Sequence, residues 1–188
     1  MIKIGITGSL ASGKTTASKI LSFRRGPLFS ADKVVKELYQ NKRFKHLIER
    51  RFKLKNNNQI KKSLKNLILK NTNNIRKLEK IIHPLVRKEM RRFNSQNRNE
   101  KLLFYEIPLL IENKLMKLFD VIIFIKTKKN LRLKRFKLKN GDSKLFNILN
   151  NKQMADKKKI KFCDYVVVNE KNLKILKKNL IAIIENYE

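Results

Sequence analysis

Cysteine occurs once in this sequence, at Cys163, which excludes an internal disulfide framework and any metal centre built from several thiolates. Proline occurs three times, glycine five times and histidine twice, so each of their positions carries information. Acidic residues are also sparse, with 15 Asp and Glu against 47 Lys and Arg, for a formal net charge of +32 over 188 residues. No apolar run approaches the roughly 18 residues needed to cross a bilayer. Nor does a basic leader with an apolar core and a small-residue cleavage site open the chain, so the expected location is cytoplasmic. The length suits one substantial α/β unit with insertions rather than two full domains.

A charge of +32 attracts polyanions whatever their sequence. Here the lysines are dispersed from Lys3 to Lys178 among asparagines and isoleucines. They form neither a dense tract nor a pattern interleaved with aromatics, as a dedicated nucleic-acid surface would. The expectation is therefore no dedicated nucleic-acid or membrane partner. The field would still help to capture an anionic nucleotide.

Three of the five glycines, Gly5, Gly8 and Gly13, fall in the first thirteen residues, within "IGITGSLASGKTT" from Ile4 to Thr16. Ile2 to Thr7 alternates and β-branches like a strand, and Ala17 to Leu21 continues as helix. The spacing Gly8-x-x-x-x-Gly13-Lys14-Thr15 thus sits at a strand-to-helix turn and matches the Walker A phosphate loop. There, backbone N–H groups cradle the anion, the lysine reaches the β and γ phosphates, and the hydroxyl ligates Mg²⁺.

Short apolar runs predict strands at Ile2–Thr7, Pro27–Ala31, Lys101–Ile107, Val121–Lys126 and Tyr165–Val168. The runs "LLFYEI", "VIIFI" and "YVVV" are continuous rather than alternating, the mark of parallel strands covered on both faces. Strands alternating with helices predict a doubly wound α/β fold, with the phosphate site at the carboxyl ends of the strands. From Phe44 to Arg92 only helical periodicity is present, broken by the Asn-rich "KNNNQ" and "NTNN", which reads as a helical insertion. Asn172 to Glu188 reads as a closing helix.

Among phosphate-loop proteins, a regulatory GTPase needs Asn-Lys-x-Asp and Asp-x-x-Gly. "NKRF" and "NKQM" lack the Asp, and no Asp has a Gly three residues later. A motor or transporter ATPase usually needs more chain and a strand closing in Asp, whereas "LLFYEIP" closes in Glu106 and then Pro108. A small-molecule kinase remains, and it needs a base, cations for the transferring phosphoryl group and a lid against water. Asp32, between the second strand and a helix, suits either a general base or a helix cap. Arg132, Arg135 and Lys139 recur at helical spacing in "LRLKRFKLKN", Leu131 to Asn140, facing either phosphates or solvent. His83 in "IIHPLV" suits a core position or a ligand. Pro108 in "IPLLIEN" can simply end a strand before Glu112.

Taken in order, "IGITGSLASGKTT", "ADKVVKELY", "IIHPLVRKEM", "FYEIPLLIEN", "LRLKRF", Gln153 and "CDYVVVN" resemble the dephospho-coenzyme A kinases over nearly the whole chain. That resemblance implies a P-loop NTPase-type parallel sheet flanked by helices, a helical substrate domain and a lid. Residues 1–43 and 98–188 would form the core with a lid at about 129–152, and residues 44–97 the substrate domain. It implies transfer of the ATP γ-phosphoryl group to the ribose 3′-hydroxyl of dephospho-CoA, with Mg²⁺.

By the same resemblance, Gly8 and Ala11, Ser12, Gly13, Lys14, Thr15 and Thr16 hold the ATP phosphates, with Thr15 on the metal. Asp32 is the catalytic base, Lys14 and Arg135 act on the phosphates, Asn169 lies near the adenine, and His83 and Glu112 line or brace the acceptor side. The chain departs from the family where Ser30-Ala31-Asp32 stands for Asp-Ala-Asp, which removes a carboxylate near the metal. It departs again at Lys139, where a lid arginine is common, and after Gln153, where "MADKKKIKF" matches poorly. A kinase of another nucleoside or nucleotide, or a nucleic-acid-binding P-loop protein, are the alternatives.

Overall fold

The computed structural model describes residues 1–54 and 59–188. The strands are β1 (Ile2–Gly8), β2 (Leu28–Ser30), β3 (Leu102–Glu106), β4 (Val121–Lys126) and β5 (Tyr165–Val168). They pair in parallel in the order β2-β3-β1-β4-β5. The chain leaves β1 toward one edge and later returns to build the other, so the end of β1 is a switch point, where open α/β sheets bind ligands. β2 is shorter than the apolar run around it. Pro27 has no N–H to give and stays outside, although its carbonyl accepts from the Phe104 N–H at 3.1 Å. Ala31 already begins a helix.

The helices are α1 (Lys14–Ser22), α2 (Ala31–Leu38), α3 (Lys42–Phe52), α4 (Ile60–Lys70), α5 (Asn73–Gln96), α6 (Lys129–Lys137), α7 (Ser143–Lys152), α8 (Asp156–Ile160) and α9 (Leu173–Ile184). None among the described residues is long and apolar enough to cross a membrane.

Contacts divide the chain into two compact units, Met1–Ala31 with Phe93–Glu188, and Asp32–Arg92. In the first, every residue of β3 is buried, as are the first five of β4. Ile4, Ile6, Phe104 and Ile123 pack with Ala17 and Leu21 of α1 and with Leu176, Leu180 and Ile184 of α9. Each such fully buried aliphatic side chain stabilises the fold by roughly 1.5–3 kcal/mol. The alternate residues of the strands face an aromatic group in which Tyr105 meets Phe93 at 5.5 Å and Phe119 at 5.2 Å between ring centroids. The core therefore fixes both faces of β1 and β3, whose carboxyl ends carry the chemistry described below.

The second unit is helical. Phe44 and Ile48 of α3 and Ile60 and Leu64 of α4 are buried against Leu78, Ile81, Ile82 and Leu85 of α5, which recur at helical spacing. Asn41 caps α3 by accepting from the Phe44 N–H at 3.1 Å. Pro84 stands inside α5 with its ring exposed, and the helix runs through it. The Asn-rich break at residues 55–58 lies outside the described residues.

The basic helix after β4 departs from the Leu131–Asn140 expectation. It ends at Lys137, because Asn140 adopts φ 60° and the Phe136 carbonyl accepts from both Lys139 and Gly141 N–H groups, at 3.2 and 3.0 Å. Lys139 thus lies exposed in the terminating turn, off the face shared by Arg132 and Arg135.

Candidate active site

The segment Gly8–Thr15 joins the end of β1 to the first turn of α1. Gly13 precedes that helix in the left-handed region, at φ 95°, and the Ser12 N–H closes the loop on the Ser9 carbonyl at 3.1 Å. Glycine is required at both anchor positions. A Cβ at Gly8 would meet the Ile125 carbonyl oxygen at 2.5 Å, and one at Gly13 would meet Asn169 Nδ2 at 2.2 Å. Gly13→Ala should accordingly weaken ATP binding roughly 10-fold or more and lower Tm. Calorimetric titration with ATP checks this, and unchanged affinity would remove the loop from nucleotide binding.

Lys14 is buried, and its Nζ donates to the Ser9 carbonyl at 3.0 Å, so the ammonium lies across its own loop. Thr15 Oγ1 donates to Glu106 Oε1 at 2.5 Å, and Ser30 Oγ donates to Glu106 Oε2 at 2.8 Å. Glu106 ends β3 opposite Ser30 in the strand register, at 1% exposure. One carboxylate therefore bridges the hydroxyls of two neighbouring segments. Among the described residues, the buried Ser12 hydroxyl finds no hydrogen-bond partner.

The outer arc of the loop is held by residues that follow β4 in the chain. Gln153 Oε1 accepts from the Leu10 N–H at 3.0 Å, and Asp156 accepts from the Ser9 hydroxyl. Arg132 is buried over the Phe146 ring. It donates to the Thr127 carbonyl at 3.1 Å, the Leu10 carbonyl at 3.4 Å and Asn150 Oδ1 at 2.8 Å. Burial lowers its pKa from the usual arginine value, and Asp156 opposes that shift. An arginine remains a cation at neutral pH all the same. Its guanidinium is committed to the Thr127 carbonyl, α7 and the loop, so of the two expectations, phosphates or solvent, the solvated face is corrected.

Arg135 donates to the Ser12 carbonyl at 3.3 Å and the Asn169 carbonyl at 3.0 Å. Asn169 Nδ2 donates to the same Ser12 oxygen at 2.8 Å. Glu112 follows β3 at a greater distance in sequence. It accepts from the Met154 N–H at 3.2 Å and pairs with the fully buried Lys159 at 2.7 Å. Among the described residues no cluster of three His, Cys, Asp or Glu side chains could hold a metal by itself. Mg²⁺ bound with a nucleotide needs few protein ligands, and oxygen donors such as the Thr15 hydroxyl and the Glu106 carboxylate suit it.

The profile of the dephospho-CoA kinase family matches residues 2–174. The chain belongs to the dephospho-CoA kinase family. The dephospho-CoA kinase of Bartonella quintana is 32% identical over 188 residues, covering 97% of this chain and 96% of its own. Among solved structures, a Thermus thermophilus protein superposes with a TM-score of 0.80 at 25% identity, covering 100% of this chain and 98% of its own. The Campylobacter jejuni dephospho-CoA kinase does so with a TM-score of 0.66 at 26% identity, covering 98% and 96%. The parallel sheet flanked by helices is the P-loop kinase fold expected from the sequence.

Of the residues assigned through the dephospho-CoA kinase resemblance, the structure brings together Gly8, Ala11 to Thr16, Arg135 and Asn169. Glu112 stands with Lys159 and Met154. Asp32 and His83 belong to the helical unit, Asp32 as the second residue of α2 and His83 within α5.

Ser30 carries no carboxylate; the carboxylate beside it is that of Glu106, which sits in register with Ser30 and reaches Thr15. In the sequence, Glu106 counts only against a motor or transporter ATPase, and its place at the end of a continuous apolar run is the one mark it carries there.

Proposed function

We propose that this chain phosphorylates the ribose 3′-hydroxyl of dephospho-CoA with ATP, yielding coenzyme A. The observation that carries the reading is the match to the dephospho-CoA kinase family over residues 2–174, with a formed phosphate loop at the head of the sheet.

On this reading, the backbone N–H groups from Ala11 to Thr16, at the N-terminus of α1, receive the ATP phosphates. Lys14 exchanges the Ser9 carbonyl for the β and γ phosphates, where it stabilises charge in the transition state. Thr15 and Glu106 would hold Mg²⁺, which when bound neutralises phosphate charge. Asp32 accepts the acceptor hydroxyl's proton. Arg135 leaves its two carbonyl acceptors for the transferring phosphate. Asn169 stands toward the adenine end, His83 belongs to the acceptor side, and Glu112 braces that side through Lys159. Residues 44–97, most of them in the helical unit Asp32–Arg92, bind the acceptor, and the segment from about 129 to 152 serves as the lid.

Purified protein with ATP, Mg²⁺ and dephospho-CoA should give CoA bearing the new phosphate on the 3′-oxygen, read by mass spectrometry. Turnover of a free nucleoside with none of dephospho-CoA would overturn the acceptor assignment. ADP and free phosphate alone would do the same.

A further inference from the structure

The Ser12 carbonyl is crowded. It receives Asn169 Nδ2 at 2.8 Å, Thr127 Oγ1 at 3.0 Å and Arg135 Nη1 at 3.3 Å, and all of this takes place in a buried setting, since Ser12, Thr127 and Asn169 are each at most 6% exposed. A carbonyl oxygen has two lone pairs, so three donors exceed what it can accept at full strength, and the arginine is the most distant of them.

A second acceptor is shared in the same way. The Asn169 carbonyl accepts from Arg135 Nη2 at 3.0 Å and lies 3.2 Å from Thr127 Oγ1. Thr127 has one proton and two acceptors within reach, and Arg135 serves the same two acceptors.

We propose that Thr127 and Asn169 are positioning residues, which keep the Ser12–Gly13 peptide aimed into the phosphate site while Arg135 moves off it. The inference rests on the kinase reading above for the destination of Arg135. With Arg135 docked, the Thr127 hydroxyl turns to Ser12. Once Arg135 leaves, that hydroxyl rotates to the Asn169 carbonyl, and the Asn169 amide keeps Ser12. Both acceptors stay satisfied in either state, so the departure of the arginine orphans no buried carbonyl.

The peptide is planar, so fixing the Ser12 carbonyl fixes the Gly13 N–H in the opposite direction, into the loop. The Asn169 amide fills the space a Cβ at position 13 would occupy, which ties the left-handed glycine to this clamp.

The geometry predicts a specific non-additivity. Thr127→Val keeps the β-branched shape and removes the hydroxyl. In the otherwise unchanged protein it should leave Tm nearly unmoved, because Arg135 and Asn169 still cover both acceptors. In an Arg135→Ala background it should lower Tm by about 2–4 °C more than in the parent. The same Thr127→Val change should lower kcat for phosphoryl transfer roughly 10-fold, with a smaller change in KM for ATP, because the cost falls where Arg135 has left. Thr127→Ser should recover most of that loss.

Equal Tm shifts in the two backgrounds would overturn the proposal, as would an unchanged kcat in Thr127→Val. The melting comparison needs no substrate. A wrong acceptor would therefore appear as absent CoA formation in the parent protein, while the melting result would still decide the clamp.

Discussion

Replacing Lys14 with alanine is expected to lower kcat for CoA formation on the order of 10³-fold, the largest loss of any single substitution considered for this site. The ammonium is buried and held across the loop on the Ser9 carbonyl, so its position is set before substrate arrives. Moving to the γ-phosphate exchanges one oxygen acceptor for a more charged one in a partly desolvated loop. There the interaction is far stronger than in water. Removing the side chain leaves the phosphoryl charge to Arg135 and the backbone N–H groups. Rapid-quench measurement with saturating ATP isolates the chemical step from product release. A Lys14→Ala protein with kcat within about threefold of the parent would refute the role of the loop in transfer. Lys14→Arg should not restore the rate, because the planar guanidinium does not reproduce a compact ammonium in a loop shaped around it.

The legible part of this protein is the part written in local pattern. Gly8, Gly13, Lys14 and Thr15 sit at fixed spacing because one short turn must meet one anion. The buried runs from Leu102 and Val121 are continuous because both faces of the sheet are covered. Glu106, Thr127 and Arg132 were not legible in the same way, because their meaning depends on partners brought by register and crossover. Glu106 meets Thr15 across 91 positions of sequence, and Arg132 meets Leu10 across 122. No local pattern distinguishes a buried arginine that clamps a loop from an exposed one in a chain with 47 Lys and Arg. The end of α6 is hidden from the sequence for a related reason. Leu138 and Lys139 continue the helical spacing, and the stop is imposed by Asn140 and Gly141 folding back on the Phe136 carbonyl.

Asp32→Asn should cut kcat roughly 10²-fold or more while the fold is retained. Asparagine has nearly the same shape and can still accept a hydrogen bond at its oxygen, so the substitution removes the charge and the capacity to take a proton while keeping the shape. The competing explanation for an aspartate here is structural, since Asp32 lies in the first turn of α2, where a negative charge favours the helix by about 0.3–1 kcal/mol. Losing that charge would lower Tm by only about 1–4 °C in a chain of this size. The two explanations therefore separate on kcat. A base predicts the large fall with KM for dephospho-CoA changing little, whereas a helix-stabilising charge predicts a modest Tm loss and normal turnover. Asp32→Glu sharpens the contrast, because it preserves the charge at the helix terminus and displaces the carboxylate by one methylene. A group that must meet a hydroxyl within hydrogen-bond reach tolerates that displacement poorly. A charge serving only α2 tolerates it well, so a fully active Asp32→Glu protein beside a fully active Asp32→Asn protein would end the assignment of Asp32 as base.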